Sequence, residues 1–332
     1  MLVPQTRRRL LSTLSLAGIA GLLRPSTVFA AEAPLETTTI HLTKVTDMCM
    51  APQFVMDDLL RAEGFTDIQY VKIPIPQINE TIGSGKADLG LSYINGLLLN
   101  IDRGQPITMV AGIMVGCIEL FAQDSIRSVG DLKGKKLGVG ASGNGPHGLM
   151  SAMLAHVGID PVKDVEWVAD PKFVQMFIEG QVDAIELVPP ASQELRARKV
   201  GHVIVNNAVD PPWSNYFCCM LAGYSDFVRK NPVATKRVLR AMLKASDLCA
   251  KDPERMAQKL VGDGFTPNYD RALEAIRDNV FDKWREYDAE DTVRFYALRL
   301  HDVGFIKSSP QELIAKSTNW SLFNELKREL KA

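Results

Sequence analysis

Ile82-Gly-Ser-Gly85-Lys-Ala-Asp88-Leu-Gly90 and Phe177-Ile-Glu-Gly180-Gln-Val-Asp183-Ala-Ile185, 95 positions apart, carry the same local pattern. Each reads as a helix end, a glycine stop, a short turn, an aspartate and the start of a strand. Glycine supplies the left-handed conformation that closes a helix. The aspartate is expected to bond its own turn backbone, and the apolar run behind it suits a strand buried in a sheet. One such corner occurs in any α/β protein. Two at matching places imply two similar α/β lobes, and paired lobes leave a cleft in which a small ligand can sit.

Outward from the first corner, period-two and helical patterns alternate. They predict a strand over 40–45, a helix over 52–61 stopped by Gly64, a strand over 68–73, a helix over 77–84 and a strand over 89–93. Such an order implies parallel strands with right-handed crossovers. A β run over 107–115 then leads into 118–121, the expected first crossing between lobes. Around the second corner the theme repeats, with a short helix at 131–134, a strand to Val139, a helix over 146–156, a strand over 165–168, a helix over 172–179 and a strand over 184–188. The run 202–205 leads back out, and 217–221 is expected to return to lobe one. From Ser225 onward the text is helical, with segments at 233–250, 269–284, 289–300 and 310–315 separated by Asn-Pro, Asp-Pro, Thr-Pro and Ser-Pro breaks. These helices are expected to pack on lobe one.

The first thirty residues read as an export signal. Thr6-Arg7-Arg8-Arg9-Leu10-Leu11 precedes a mildly apolar stretch over 14–23, and Val28-Phe29-Ala30 offers a small-residue cleavage site. The paired arginines and leucines predict a twin-arginine-type signal peptide over 1–30; an ordinary secretory signal or an anchor are the alternatives. The apolar run falls short of the roughly 20 residues a spanning helix needs. The mature chain is therefore expected to be an exported, soluble periplasmic protein. Without 1–30 the formal charge moves from −1 to −5, because four arginines and no acid are lost. No basic patch of the kind nucleic-acid binding requires is present. The five cysteines, Cys49, Cys117, Cys218, Cys219 and Cys249, form no C-x-x-C pair and no zinc spacing, so buried thiols are expected rather than a disulfide framework, and no metal.

At this point the residues carry a resemblance. Asp131-Leu-Lys-Gly-Lys-Lys-Leu-Gly-Val139, the loop from Ser142 to Leu149 into a helix ending His156-Val-Gly-Ile-Asp160, the Gly180-x-Val-Asp183-Ala184 corner with Pro190, and Asn231-Pro followed by Asp252-Pro-Glu254 resemble the nitrate, sulfonate, taurine and thiamine-precursor branch of ABC-transporter solute-binding proteins. The resemblance covers about 45–330. It implies a bilobed type II periplasmic-binding-protein fold: two α/β lobes joined by two crossing strands, with the helical C-terminal region packed on lobe one. It divides the chain into 31–116 (lobe one, first part), 117–208 (lobe two) and 209–332 (return to lobe one and C-terminal helices). The partners it implies are a small-molecule ligand and a membrane permease with its ATPase. The chain is expected to be a monomer and to need no cofactor.

Candidate ligand-binding residues follow from position. Ser142, Gly143, Asn144 and His147 lie between a strand end and a helix whose Pro146 suits the first helical position. Amides at such a helix start, with the helix dipole, accept a carboxylate, sulfonate or phosphonate; capping by Ser142 or Asn144 is the structural alternative. His147 has no carboxylate or cysteine near it in sequence, and a surface histidine is its default reading. Across the cleft the corresponding turn offers Asp47, Met48 and Met50, which either meet ligand or cap and pack. Tyr93 and Asn95 follow a strand end and should face the same crevice; Tyr93 could equally cover the core with only its hydroxyl wet. Trp213 and Tyr216 are candidates for a pocket wall or for packing between lobes.

Glu186 stands out because an ionised carboxylate in a buried strand is costly unless it is paired. Its partner is either structural or a ligand amine, amidine or protonated ring. Two other functions share the fold and stay open: a thiamine-pyrimidine synthase, whose longer cysteine cluster the resemblance implies and Cys218-Cys219 does not complete, and a receptor for a membrane sensor kinase. No nucleophile elbow, phosphate loop or metal-ligand spacing is present, and the chain is read as a non-enzyme.

Overall fold

The computed structural model describes residues 32–45 and 47–331. The export-signal reading of 1–30 lies outside them. From Leu35 to residue 331 the chain builds two five-stranded sheets with helices packed about them, the bilobed periplasmic-binding-protein architecture.

The first sheet takes β1 (Thr39–Lys44), β2 (Asp67–Lys72), β3 (Leu89–Tyr93), β4 (Ile107–Met114) and β10 (Cys219–Tyr224), in the order β2-β1-β3-β10-β4. The second takes β5 (Glu119–Ala122), β6 (Lys136–Val139), β7 (Glu166–Ala169), β8 (Ala184–Leu187) and β9 (His202–Asn206), in the order β7-β6-β8-β5-β9. In each sheet three strands are parallel, β1 with β2 and β3, and β6 with β7 and β8. The fourth place is filled by a strand running the other way, β10 in the first sheet and β5 in the second. The sheets are thus mixed, because each lobe completes itself with a strand that has just crossed from the other.

The paired corners set this geometry. Gly85 and Gly180 both sit at φ +72°, where a Cβ is disfavoured. The aspartates act differently from the expected turn bond. Asp88 Oδ2 accepts from His41 N at 2.7 Å, and Asp88 N donates to His41 O at 2.8 Å. Asp183 Oδ2 accepts from Lys136 N at 2.8 Å, and Asp183 N donates to Lys136 O at 2.7 Å. Each aspartate therefore clasps the neighbouring parallel strand and fixes its register.

Several boundaries differ from the sequence reading. The helix expected over 52–61 is two pieces, Ala51–Val55 and Asp57–Ala62, broken at Met56. The segment expected over 269–284 ends as a helix at Asp278. Helices Ile94–Asp102 and Ala191–Arg198 lie outside the expected segments, and Pro253–Gly262 adds a helix within the helical text after Ser225. The C-terminal helices pack on the first sheet: Pro232–Lys251 lies against β4, and Asn319 N donates to Met109 O at 2.9 Å. Among the described residues no helix is long and apolar enough to cross a membrane.

Candidate functional site

The strand ends of both sheets converge on one cleft of about 360 Å³, near the lower end of the roughly 300–1,000 Å³ typical of ligand sites. Asn79, Ser92, Tyr93, Asn95 and Arg103 face it from the first sheet's side, and Asn144, Gly145, Pro146 and Glu186 from the second's. Two hydrogen bonds close across it. Asn95 Nδ2 donates to Gly145 O at 2.7 Å, and Arg103 Nη2 donates to Gly143 O at 2.9 Å.

Glu186 sits in β8 with only 7 % of its surface exposed, and its Oε2 has no hydrogen-bond partner among the described residues. Burial pushes its carboxyl up to about 8, with Cys218 adding to the effect. No lysine or arginine of the described residues forms an ion pair with it. Asn95 is 2 % exposed, and its Oδ1 is likewise unpartnered. The orientation of that amide follows from chemistry: the Gly145 carbonyl can only accept, so nitrogen faces Gly145 and oxygen faces away. A buried carboxyl and a buried amide oxygen are thus left without partners among the described residues, a cost that a ligand carrying N–H groups removes. Ser92 Oγ donates to Asn79 Oδ1 at 2.7 Å, which fixes both at the first-lobe wall. Arg103 brings a permanent positive charge to the rim.

The glycine-rich loop spends much of its donor capacity on itself. Asn144 Oδ1 accepts from His147 N at 3.0 Å, capping the helix Gly145–His156, and Gly143 N donates to His147 Nδ1 at 2.8 Å. The His147 ring packs edge-on against Trp167 and Phe305, and burial lowers its basicity. His147 is therefore a packing residue behind the loop. Ser142 is exposed and, with Gly143, stands outside the cleft lining, so only Asn144 of the four candidates reaches it.

The first-lobe turn also folds inward. Asp47 Oδ1 accepts from Cys49 N at 3.1 Å and caps the short 3-10 turn Met48–Met50, while Tyr93 Oη donates to Asp47 Oδ2. Burial, with Cys49 beside it, pushes the Asp47 carboxyl well above the usual carboxylate range. Met48 and Met50 are buried in the core. None of the three lines the cleft; Asp47 supports it from behind through Tyr93. Trp213 and Tyr216 pack on Phe295, Tyr216 stacked at 3.7 Å between ring centroids, and stand outside the lining as well. Of the residues singled out in the sequence, Tyr93, Asn95, Asn144 and Glu186 come together. Asn79, Ser92 and Arg103 join them unannounced; each carried an ordinary local reading, and only Arg103, a cation just past a helix, offered any signal.

A second polar cluster ties the lobes away from the cleft. Arg196 Nη1 meets Glu119 Oε1 at 2.6 Å, and Nη2 meets Glu274 at 3.2 Å and also Asp278. Burial raises Glu119 to about 7 against the lowering pull of Arg196.

Comparison with known proteins places this geometry among relatives. The family model described as NMT1/THI5 like matches residues 67–256. The 4-amino-5-hydroxymethyl-2-methylpyrimidine phosphate synthase THI12 of Saccharomyces cerevisiae is 28% identical over 211 residues, covering 59% of this chain and 61% of the yeast protein. The chain thus spans less than two thirds of the yeast synthase's length. The nitrate/nitrite binding protein NrtA of Nostoc is 26% identical over 321 residues, covering 84% of this chain and 72% of the relative. Among solved structures, the periplasmic nitrate-binding protein NrtA of Synechocystis superposes with a TM-score of 0.74 at 15% identity, covering 90% of each chain, a likeness of fold.

Proposed function

We propose, because this chain belongs to the NMT1/THI5-like family, that it is an extracytoplasmic solute-binding receptor which closes two lobes on a small solute and delivers it to an ABC permease and its ATPase. The lobes are 31–116 with 209–332, and 117–208, and the receptor works as a periplasmic monomer without catalysis. Hinge closure stabilises the loaded state only through contacts that both lobes make with the ligand.

One observation carries the reading: a buried carboxyl and a buried amide oxygen, Glu186 Oε2 and Asn95 Oδ1, one from each lobe, have no hydrogen-bond partner among the described residues. A ligand with an amino, amidine or protonated ring nitrogen supplies them. Arg103 at the rim suits an acidic group at the ligand's other end. The solute class is therefore a small polar or aromatic acid, carboxylate or sulfonate, that also carries a nitrogen donor, or a thiamine-precursor-like aminopyrimidine. A simple inorganic anion leaves both acceptors unpaired.

The likeness to the yeast synthases favours a second reading, a pyrimidine-precursor synthase. A receptor releases its ligand unchanged, whereas a synthase does not. The test is a thermal-shift screen of refolded, ligand-stripped protein against nitrate, alkanesulfonates, aromatic carboxylates, amino-substituted aromatic acids and aminopyrimidines, followed by calorimetry and mass analysis of the recovered hit. Nitrogen-donor compounds should stabilise best, return intact, and bind more than tenfold more weakly to Glu186→Gln. Nitrate binding best, with equal affinity for the variant, refutes the proposal.

A further inference from the structure

Four of the five cysteines gather where the chain passes between the sheets. Cys117 lies between β4 and β5, and Cys218 immediately precedes β10, so the two bracket the stretch that builds the whole second sheet. All five cysteines are buried and unlinked. Cys117 Sγ lies 3.1 Å from Cys218 Sγ, and the Cys49, Cys117 and Cys219 sulfurs lie within 4.8 Å of one another. The backbone is strained to achieve this. Cys117 stands at φ +91° and Gly116 at +92°, a conformation that residues with a Cβ rarely adopt and that persists only where the surroundings enforce it. A Cβ at Gly116 would come within 2.9 Å of the Ala208 backbone, so the residue before Cys117 is packed closely against the segment that returns from β9.

We propose that Cys117 and Cys218 are an oxidisable pair that a low-molecular-weight disulfide converts to an intrachain disulfide, stapling the neck through which the second lobe's chain enters and leaves. One thiolate of the pair attacks the reagent, RSSR, forming a mixed disulfide and releasing RS⁻. The other cysteine then displaces the second RS⁻. The two cysteines lose two protons and two electrons, and RSSR leaves as two RSH. The sulfurs must approach by about 1 Å to reach the roughly 2.05 Å of a disulfide bond.

The local chemistry agrees with the geometry. Burial acts to raise Cys218, yet hydrogen bonds with Cys117 and Cys219 outweigh it and hold that thiol down to about 6. Cys117 is pushed well above the usual thiol range by burial and by its bond to Cys218. Exchange begins with a thiolate attacking a disulfide sulfur, so Cys218 is the attacking member, and Cys117 displaces the second RS⁻ once its proton has passed to the RS⁻ released first. Cys117, at 6 % exposure, is also the least buried of the four.

The test takes reduced full-length chain, removes reductant, and incubates it with oxidised glutathione. Thiol counting, non-reducing peptide mapping and thermal unfolding follow. Two of the five thiols should disappear, the map should join Cys117 to Cys218, and the melting temperature should rise by roughly 5 °C, reversibly on reduction. Cys49→Ser and Cys249→Ser should keep this response, and Cys117→Ser and Cys117→Ala should lose it. Five thiols surviving, glutathione retained as a mixed disulfide, a link between other cysteines, or a shift that persists in both Cys117 variants overturns the proposal.

Discussion

Replacing Glu186 by glutamine exchanges the buried acid for a neutral isostere, and the consequence for the ligand-free protein depends on pH. The native carboxyl is raised from its ordinary 4.5 to about 8 by burial. A raised acid holds a proton in the folded state that the unfolded chain releases. Between pH 4.5 and about 8 the folded form therefore binds more protons, and stability falls as pH rises, by about 1.4 kcal/mol per unit. Across that window the loss is about 4–5 kcal/mol. It is absent below pH 4.5 and complete above 8. Glutamine has no such slope. The variant should match wild type near pH 4.5, exceed it by about 3 kcal/mol at pH 7, and by about 4–5 kcal/mol at pH 9. Glu119 titrates in both proteins and drops out of the difference, and burial, the larger cause of the Glu186 shift, sets its size ahead of the contribution from Cys218. The assay is urea unfolding of ligand-stripped protein at pH 5, 7 and 9. A difference that stays flat across this range means that Glu186 is already partnered or solvated, and the argument for a nitrogen-donor ligand falls with it. Taken with the binding loss proposed for the same substitution, this is a stability gain bought with function, the usual signature of a site group.

Three other outcomes follow from the same geometry. Arg196→Leu leaves the Glu119 carboxyl, whose side chain is 5 % exposed, without its cation; urea unfolding should show a loss of about 2–3 kcal/mol at pH 8, reduced for the partial exposure of Arg196, and a smaller loss at pH 5, where a protonated Glu119 needs no partner. Arg103→Ala removes the bond to Gly143 O that spans the cleft, so small-angle scattering should show a more open ligand-free protein and calorimetry about fivefold weaker binding of the best screened ligand; unchanged affinity and dimensions contradict it. Gly112→Ala drives a Cβ into the Phe217 ring, between β4 and the segment returning to β10, and should lower stability by about 2–3 kcal/mol, measurable as a drop in melting temperature.

The paired corners were legible because their determinants are local: a glycine that must take positive φ, and an aspartate three residues on. What the aspartates do was not legible, since their partners His41 and Lys136 lie 47 residues upstream in each copy. The same limit hid the reversed strand in each sheet. β10 pairs with β3 across more than a hundred residues, and nothing in Cys219–Tyr224 states its direction. The helix Ile94–Asp102 escaped notice because Gly96 interrupts it and it opens as a strand exit, and Ala191–Arg198 because its text is polar and carries little periodicity. At the site, Glu186 announced itself as a charge in an apolar run. Asn79 and Ser92 did not, because a short polar side chain near an element's end has many ordinary uses. Met48 and Met50 were drawn toward the ligand by analogy of place; the 3-10 turn instead rotates them into the core.

The interior position of β10 has a consequence for biosynthesis. Strands β5 to β9 form one uninterrupted stretch and can assemble as soon as they leave the ribosome. The first sheet cannot, because the strand that joins β3 to β4 is made only after the whole second sheet. Until then β3 and β4 present unsatisfied edges. The lobe that starts first in the sequence is thus the one that finishes last, and a chaperone engaged during translation would meet it on those two edges.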